Sequence, residues 1–266
     1  MSLTFGNGPF GPNGGGGEFS FGPLPPHILY WEDWPRRMRA LFAGETILDS
    51  RHVKLLHETE KLPAHYVPFE DLRRDLLVPS ADPGAAPDQQ GKRWSVRVGD
   101  QLAEGCVTSP PTRPDGAEIL PGYVTVAFGA MDRWFEEDDP IYADPRDPYH
   151  RVDVRSSSRH VVVRHAGQVV AETSRPKLLF ETSNPIRYYL PAADVRLDLL
   201  VKSETISECP YKGDGQHWHL LADAARVEDA AWSLPHPLPE GFAAAEHICF
   251  YPNKVEIEVD GQRVAA

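Results

Sequence analysis

The sequence predicts a mainly β protein. It reads as two homologous small antiparallel β domains, each a curved sheet or open barrel, with a few short helices. Three observations predict this. Residues 39–80 and 162–203 align without a gap at an offset of 123, with 16 of 42 positions identical, which marks two copies of one domain. Each copy holds short apolar runs with turn signals every ~8–12 residues, the spacing of an antiparallel β domain. No segment has the length and period of a helix able to cross over between parallel strands.

The elements follow in order. Residues 1–25 form a leader rich in Gly and Pro, with little apolar surface to offset the entropy of ordering, so we read it as disordered. Phe5, Phe10, Phe19 and Phe21 are its only candidate docking points. The first domain spans 26–138 and opens with RALFAGETILDS, whose counterpart is HVVVRHAGQVVAETS. Both read as strand, tight turn, strand, and Gly44 and Gly167 suit a turn with positive φ. KLLHET and KLLFET, then AHYVP and RYYLP, are further strands, ended by Pro68 and Pro191 because proline cannot donate to the ladder. EDLRRDLL and ADVRLDLL read as a short helical turn or a bent strand, with Asp194 placed to cap the turn. WSVRV and WHLLAD supply another strand, anchored by Trp94 and Trp218. AMDRWFEED reads as a short helix, and VEIEVDG alternates with period two as a strand. A linker over 139–158, rich in Pro, Asp and Arg, leads to the second domain at 159–266. Its DPRDPYHRVD run is too specific for a bare spacer.

Composition bounds the function. The chain has 266 residues, a net charge of −12, 41% hydrophobic and 25% charged residues, as soluble globular proteins do. Its acidity excludes a non-specific nucleic-acid binder, which needs a basic face, and disfavours anionic membranes. Three unrelated cysteines, Cys106, Cys209 and Cys249, suggest no disulfide framework, so a cytoplasmic location is expected. No signal peptide is recognised, and no apolar run approaches the roughly 20 residues that cross a bilayer. The oligomeric state is left open.

ILYWEDWPRRMRALFAGETILDS, RYYLPAADVRLDLL, CPYKG followed by HW, and DPRDPYHRVDV resemble the family of domain of unknown function 427. The resemblance covers nearly the whole chain after the leader. It implies a mainly β domain, in single or tandem copies, chiefly bacterial, that also carries a nucleotidyltransferase-like name. Nucleotidyl transfer calls for paired carboxylates holding Mg²⁺ and a Gly-rich or basic phosphate site, and the sequence has no P-loop. Where the family's linker motif would place a histidine, this chain has Asp144.

The copies diverge at one place. After its DLL core the second copy carries SETISECPYKGDGQHW, where the first carries SADPGAAPDQQGKRW. A segment needed only for folding would be kept in both, so a site is expected in the second copy. Cys209 beside Lys212 has the composition of an activated nucleophile, with Lys212 as activator, anion binder or Schiff-base lysine. Gly213 permits close backbone approach. His217 and His219 lie two apart on a strand and point one way. Without a second cysteine pair, no metal site and no cofactor is expected. Arg196, Tyr188 and His217 complete the candidate ligand-binding set, with Arg146 and His150 of the linker, beside Asp147 and Tyr149. Arg196 is placed to pair with Asp198 or Glu181. Of the paired tyrosines, Tyr189, shared with Tyr66, is assigned to the core, and Tyr188, opposite His65 in the first copy, to a cleft or solvent. His57 and His65, replaced by Phe180 and Tyr188, are not a duplicated site. The expected function is small-molecule binding or catalysis in the second copy. A non-catalytic interaction module and nucleotidyl transfer are the alternatives.

Overall fold

The computed structural model describes residues 3–14, 17–80, 92–113, 115–141, 144–222 and 225–265. The chain divides into two compact units, Met1–Asp147 and Pro148–Ala266. The first holds β1 (Leu29–Trp34), β2 (Met38–Phe42), β3 (Glu45–Ser50), β4 (Val53–Glu58), β5 (Ala64–Pro68), β6 (Leu77–Pro79), β7 (Arg93–Val98), β8 (Gln101–Thr108), β9 (Tyr123–Val126), β10 (Arg133–Glu136) and β11 (Asp139–Ile141). The second holds β12 (Val152–Ser156), β13 (Val161–His165), β14 (Gln168–Thr173), β15 (Lys177–Glu181), β16 (Arg187–Pro191), β17 (Leu200–Ser207), β18 (Gly213–Ala222), β19 (Ala225–Pro237), β20 (His247–Phe250), β21 (Glu256–Val259) and β22 (Gln262–Arg263).

Each unit has a seven-stranded and a four-stranded antiparallel sheet, and the protein is mainly β, with 51% strand against 9% helix. The large sheets run β1-β4-β5-β9-β8-β7-β6 and β12-β15-β16-β20-β19-β18-β17, and the small ones β11-β10-β2-β3 and β14-β13-β21-β22. The two orders are the same topology written twice. Segment 139–158 supplies a strand to each unit, β11 and β12. In the leader, Thr4 is buried and its Oγ1 donates to the Glu58 carbonyl at 2.9 Å, which ties this part to the end of β4. No helix among the described residues is long and apolar enough to cross a membrane.

Local chemistry explains the hairpins. Ala43 and Gly44 have φ of 50° and 81°, and Ala166 and Gly167 have 49° and 81°. Two successive positive φ values make the turn whose twist matches paired strands. After Pro68 and Pro191 the chain makes 3-10 turns at Phe69–Asp71, Arg74–Leu76, Ala192–Asp194 and Leu197–Leu199. Asp194 does not cap its turn. Its Oδ2 instead accepts from Thr173 Oγ1 at 2.7 Å, as Asp71 accepts from Ser50 at 2.6 Å, so each carboxylate ties the turn to the end of a strand.

The helix expected over AMDRWFEED is not formed. A 3-10 turn at Phe128–Ala130 is followed by β10, which pairs with β2. The reason is tertiary. Trp134 is buried beside Ala40 while Arg133 stays exposed, and pairing with β2 is what holds this segment extended. Its indole Nε1 donates to the Phe128 carbonyl at 2.9 Å.

The main core of each unit lies between its two sheets. Ile47, Leu55, Val67 and Val107 fill the first, and Val163, Leu190, Leu220 and Ile248 the second. Each such side chain contributes roughly 1.5–3 kcal/mol on burial. The outer face of each large sheet carries a smaller cluster: Leu56, Tyr66, Ile119 and Leu120 in one, and Val152, Leu179, Tyr189, Leu234, Ala244 and Cys249 in the other. In the second unit a 3-10 turn, Pro239–Ala244, packs on this outer cluster against β12, β15 and β19. The assignment of Tyr189 to a core holds, since it is buried in the outer cluster, while Tyr188 packs against the main core between the sheets and not into a cleft. His65, which shares the inward face of Leu55 and Val67, meets Trp34 edge-on at 4.9 Å.

Candidate functional site

The expected Cys209–Gly213 segment is a tight turn between β17 and β18, closed by the Gly213 N–H donating to the Cys209 carbonyl at 3.0 Å. It is clamped from one side. The Leu238 N–H donates to the Lys212 carbonyl at 3.1 Å. At Gly213, with φ of 88°, a Cβ would stand 2.7 Å from the His236 carbonyl oxygen. Only glycine permits this approach.

The turn aims Lys212 at Glu181, at the end of β15. On its other oxygen Glu181 meets His150, with Nε2 3.1 Å from Oε1, and the Tyr211 ring lies 4.2 Å from the His150 ring. The carboxylate is one-tenth exposed. Burial alone would raise its pKa, but hydrogen bonds from His150 and Lys212 and the lysine charge bring it down to about 2. The first copy keeps the carboxylate but changes its partners. Glu58 meets His27 at 3.1 Å and Lys61 at 2.9 Å, and both partners are far more exposed. Asn184 stands where Lys61 would, so Lys212 supplies the charge from another strand connection.

Beside this triad, strand register builds a row that sequence reading missed. On the outer face, Lys177 stands opposite Tyr189, Tyr189 opposite Cys249, Cys249 opposite Trp232, and Trp232 opposite His217. Trp232 Nε1 donates to Tyr189 Oη at 3.0 Å. Tyr251 lies 4.3 Å from the Trp232 ring and stacks on His217 at 6.0 Å. The Arg187 guanidinium sits 5.6 Å above Trp232, and Lys254 Nζ lies 5.5 Å from the Tyr251 ring. Among the described residues Arg187 has no carboxylate partner. Cys249 is wholly buried, and burial pushes its thiol pKa up, which makes it inert. The first copy has Lys54, Tyr66, Thr125, Thr108 and Arg93 along the matching row, so the aromatic wall belongs to the second copy.

The other expected residues are placed as follows. Cys209 begins the turn and is half-buried. His217 is buried, and burial lowers its pKa against the pull of Asp229. His219 accepts from the Asp229 N–H at 3.0 Å. Among the described residues no group of three or more His, Cys, Asp or Glu side chains is placed to hold a metal ion. Arg146 lies in the first unit and His150 in the second. Arg196 stands apart from Lys212. It pairs with Asp198, not Glu181, through bonds of 2.8 and 2.6 Å, as Arg73 pairs with Asp75 at 2.9 and 2.8 Å. Both pairs are exposed, so Arg196→Ala is expected to leave the urea-unfolding midpoint and ligand affinity nearly unchanged. The first-copy counterpart of the Cys209–Gly213 turn falls within 81–91, outside the described residues.

No curated protein matches the chain. The profile of the domain of unknown function DUF427 matches it twice, over residues 30–137 and 153–261. The two matches coincide with the two copies of one topology, and the chain belongs to the DUF427 family as a tandem pair.

Proposed function

We propose that the second copy binds a small anionic ligand bearing a planar group, on the outer face of its large sheet. One observation carries this reading: a half-buried Trp232–Tyr251 wall with the Arg187 cation stacked on it, and a first copy with Thr108 and Ala127 in the wall's place. Aromatic faces hold planar groups, and an arginine free of carboxylates attracts an anion. The Lys212–Glu181–His150 triad fixes the adjoining turn, because Lys212 is already neutralised by Glu181.

The test is a binding screen with aromatic carboxylates, nucleoside monophosphates, and ATP with Mg²⁺, read by tryptophan fluorescence and thermal shift. The expected result is a ligand whose affinity falls about 10-fold or more in Arg187→Ala and in Trp232→Leu, the loss of one stacked or charge-assisted contact. Thr108→Ala in the first copy should leave affinity unchanged. Equal affinity in all variants overturns the proposal. Binding of ATP with Mg²⁺ alone, unaffected by Arg187→Ala, would favour nucleotidyl transfer at another site.

A further inference from the structure

At the far end of the aromatic row, a serine hydroxyl meets a buried histidine. Ser207, the last residue of β17, is exposed, and its Oγ lies 3.1 Å from His217 Nε2. His217 is 7% exposed, and its Nδ1 is buried with no hydrogen-bond partner among the described residues. The imidazole is held face-on by Tyr251 at an interplanar angle of 21°. Across the strand pair, Gly215 faces Ser207, and a Cβ there would stand 2.5 Å from the Ser207 hydroxyl. Glycine at 215 therefore leaves the space in which the hydroxyl meets the imidazole. The row's geometry gives the first copy Arg93 in place of His217, so it lacks the histidine.

We propose that Ser207 is a nucleophile activated by His217 and that the second copy performs acyl transfer on small esters. In the first step Ser207 Oγ bonds to the ester carbonyl carbon while its proton passes to His217 Nε2. The tetrahedral adduct collapses, the bond from carbon to the leaving oxygen breaks, and that oxygen takes the proton from His217. Water then attacks the acyl-serine, again losing its proton to His217, and releases the carboxylic acid as the proton returns to Ser207. Burial keeps the imidazole unprotonated near neutrality, the form that accepts a proton. The preferred ester carries an anionic planar group; this part rests on the binding reading above, since Tyr251 joins His217 to the Trp232–Arg187 wall.

The test treats the full chain with a biotin-linked fluorophosphonate, locates the adduct by peptide mass spectrometry, and follows turnover of p-nitrophenyl acetate. One adduct is expected, on Ser207, lost in Ser207→Ala. Its rate should fall about 100-fold or more in His217→Gln, the scale of general-base catalysis. Gly215→Ala keeps both groups but turns the hydroxyl away, so it too should lose most of the rate. Ser207 is exposed, so the alanine variant tests chemistry rather than folding. No adduct on Ser207, or a rate indifferent to His217→Gln, overturns the proposal. Wild-type turnover is also compared between a neutral and a carboxylate-bearing aromatic ester. Equal turnover of both upholds acyl transfer and sinks the binding reading, while ligand binding with no adduct does the reverse.

Discussion

Replacing Glu181 with glutamine is expected to cost about 3 kcal/mol of stability at pH 7. The carboxylate is nearly buried between Lys212 and His150, and the substitution leaves Lys212 without its counter-charge while a fifth or less of its side chain reaches water. Breaking one partner out of a buried pair typically costs about 3–5 kcal/mol, and partial exposure of the lysine puts this case at the low end. The same change at Glu58 should cost about 1 kcal/mol, because His27 and Lys61 are solvated. Urea unfolding of the full chain, with unchanged m-values, measures both.

The pH dependence has a definite sign. The pKa of Glu181 is lowered on folding, from 4.5 to about 2. Its contribution is therefore complete above 4.5 and is lost as the pH falls toward 2. Wild type and Glu181→Gln should converge over that interval. Asp75, Asp153 and Asp198 also have lowered pKa values, each held down by a hydrogen-bonded arginine, but these carboxylates lie at the surface. Salt screens surface pairs far more than buried ones. The convergence of wild type and variant should thus persist at high salt while the rest of the acid slope flattens. A gap that stays constant from pH 7 to 2 would show that Glu181 acts through shape and not charge.

Much of the fold is legible in the sequence because the duplication is literal. Gly44 and Gly167 mark the same hairpin, Pro68 and Pro191 end the same strand, and the matched aspartates, Asp71 and Asp194, make the same bond to a strand end. The failures have one physical origin. Alternation says that Tyr188 and Tyr189 face opposite ways, but both faces of the large sheet are covered, so alternation cannot say which face holds the main core. The strand β10 forms because β2 offers it a partner, which no local pattern encodes. The aromatic row is assembled from positions 189, 249, 232 and 217, brought together by register between strands distant in sequence. The divergent Cys209–Gly213 segment is legible as the place where the copies differ, and its Lys212 reaches a buried partner. The partner, Glu181, is present in both copies as Glu58 and Glu181, so divergence between the copies cannot single it out.

Gly213→Ala is expected to cost about 2–4 kcal/mol and to disturb the site with it. Two penalties add. A φ of 88° strains any residue with a Cβ, and that Cβ would press on backbone from three consecutive residues: the His236 carbonyl oxygen at 2.7 Å, the Pro237 Cα at 3.3 Å and the Leu238 nitrogen at 3.1 Å. Backbone in a paired strand cannot yield as a side-chain tip can. Gly167→Ala separates the two penalties, since its φ is 81° but nothing lies within 4 Å of its added Cβ; it should cost about 1 kcal/mol. Relief at Gly213 requires the turn to lift from residues 236–238, which breaks the bond from Leu238 to the Lys212 carbonyl and draws Lys212 from Glu181. The two large effects then share a cause. A Gly213→Ala, Glu181→Gln double variant should lose less than the sum of the single losses, by about 1 kcal/mol or more in a double-mutant cycle, because the ion pair cannot be lost twice. Strict additivity would mean that the turn keeps Lys212 in place without the clamp.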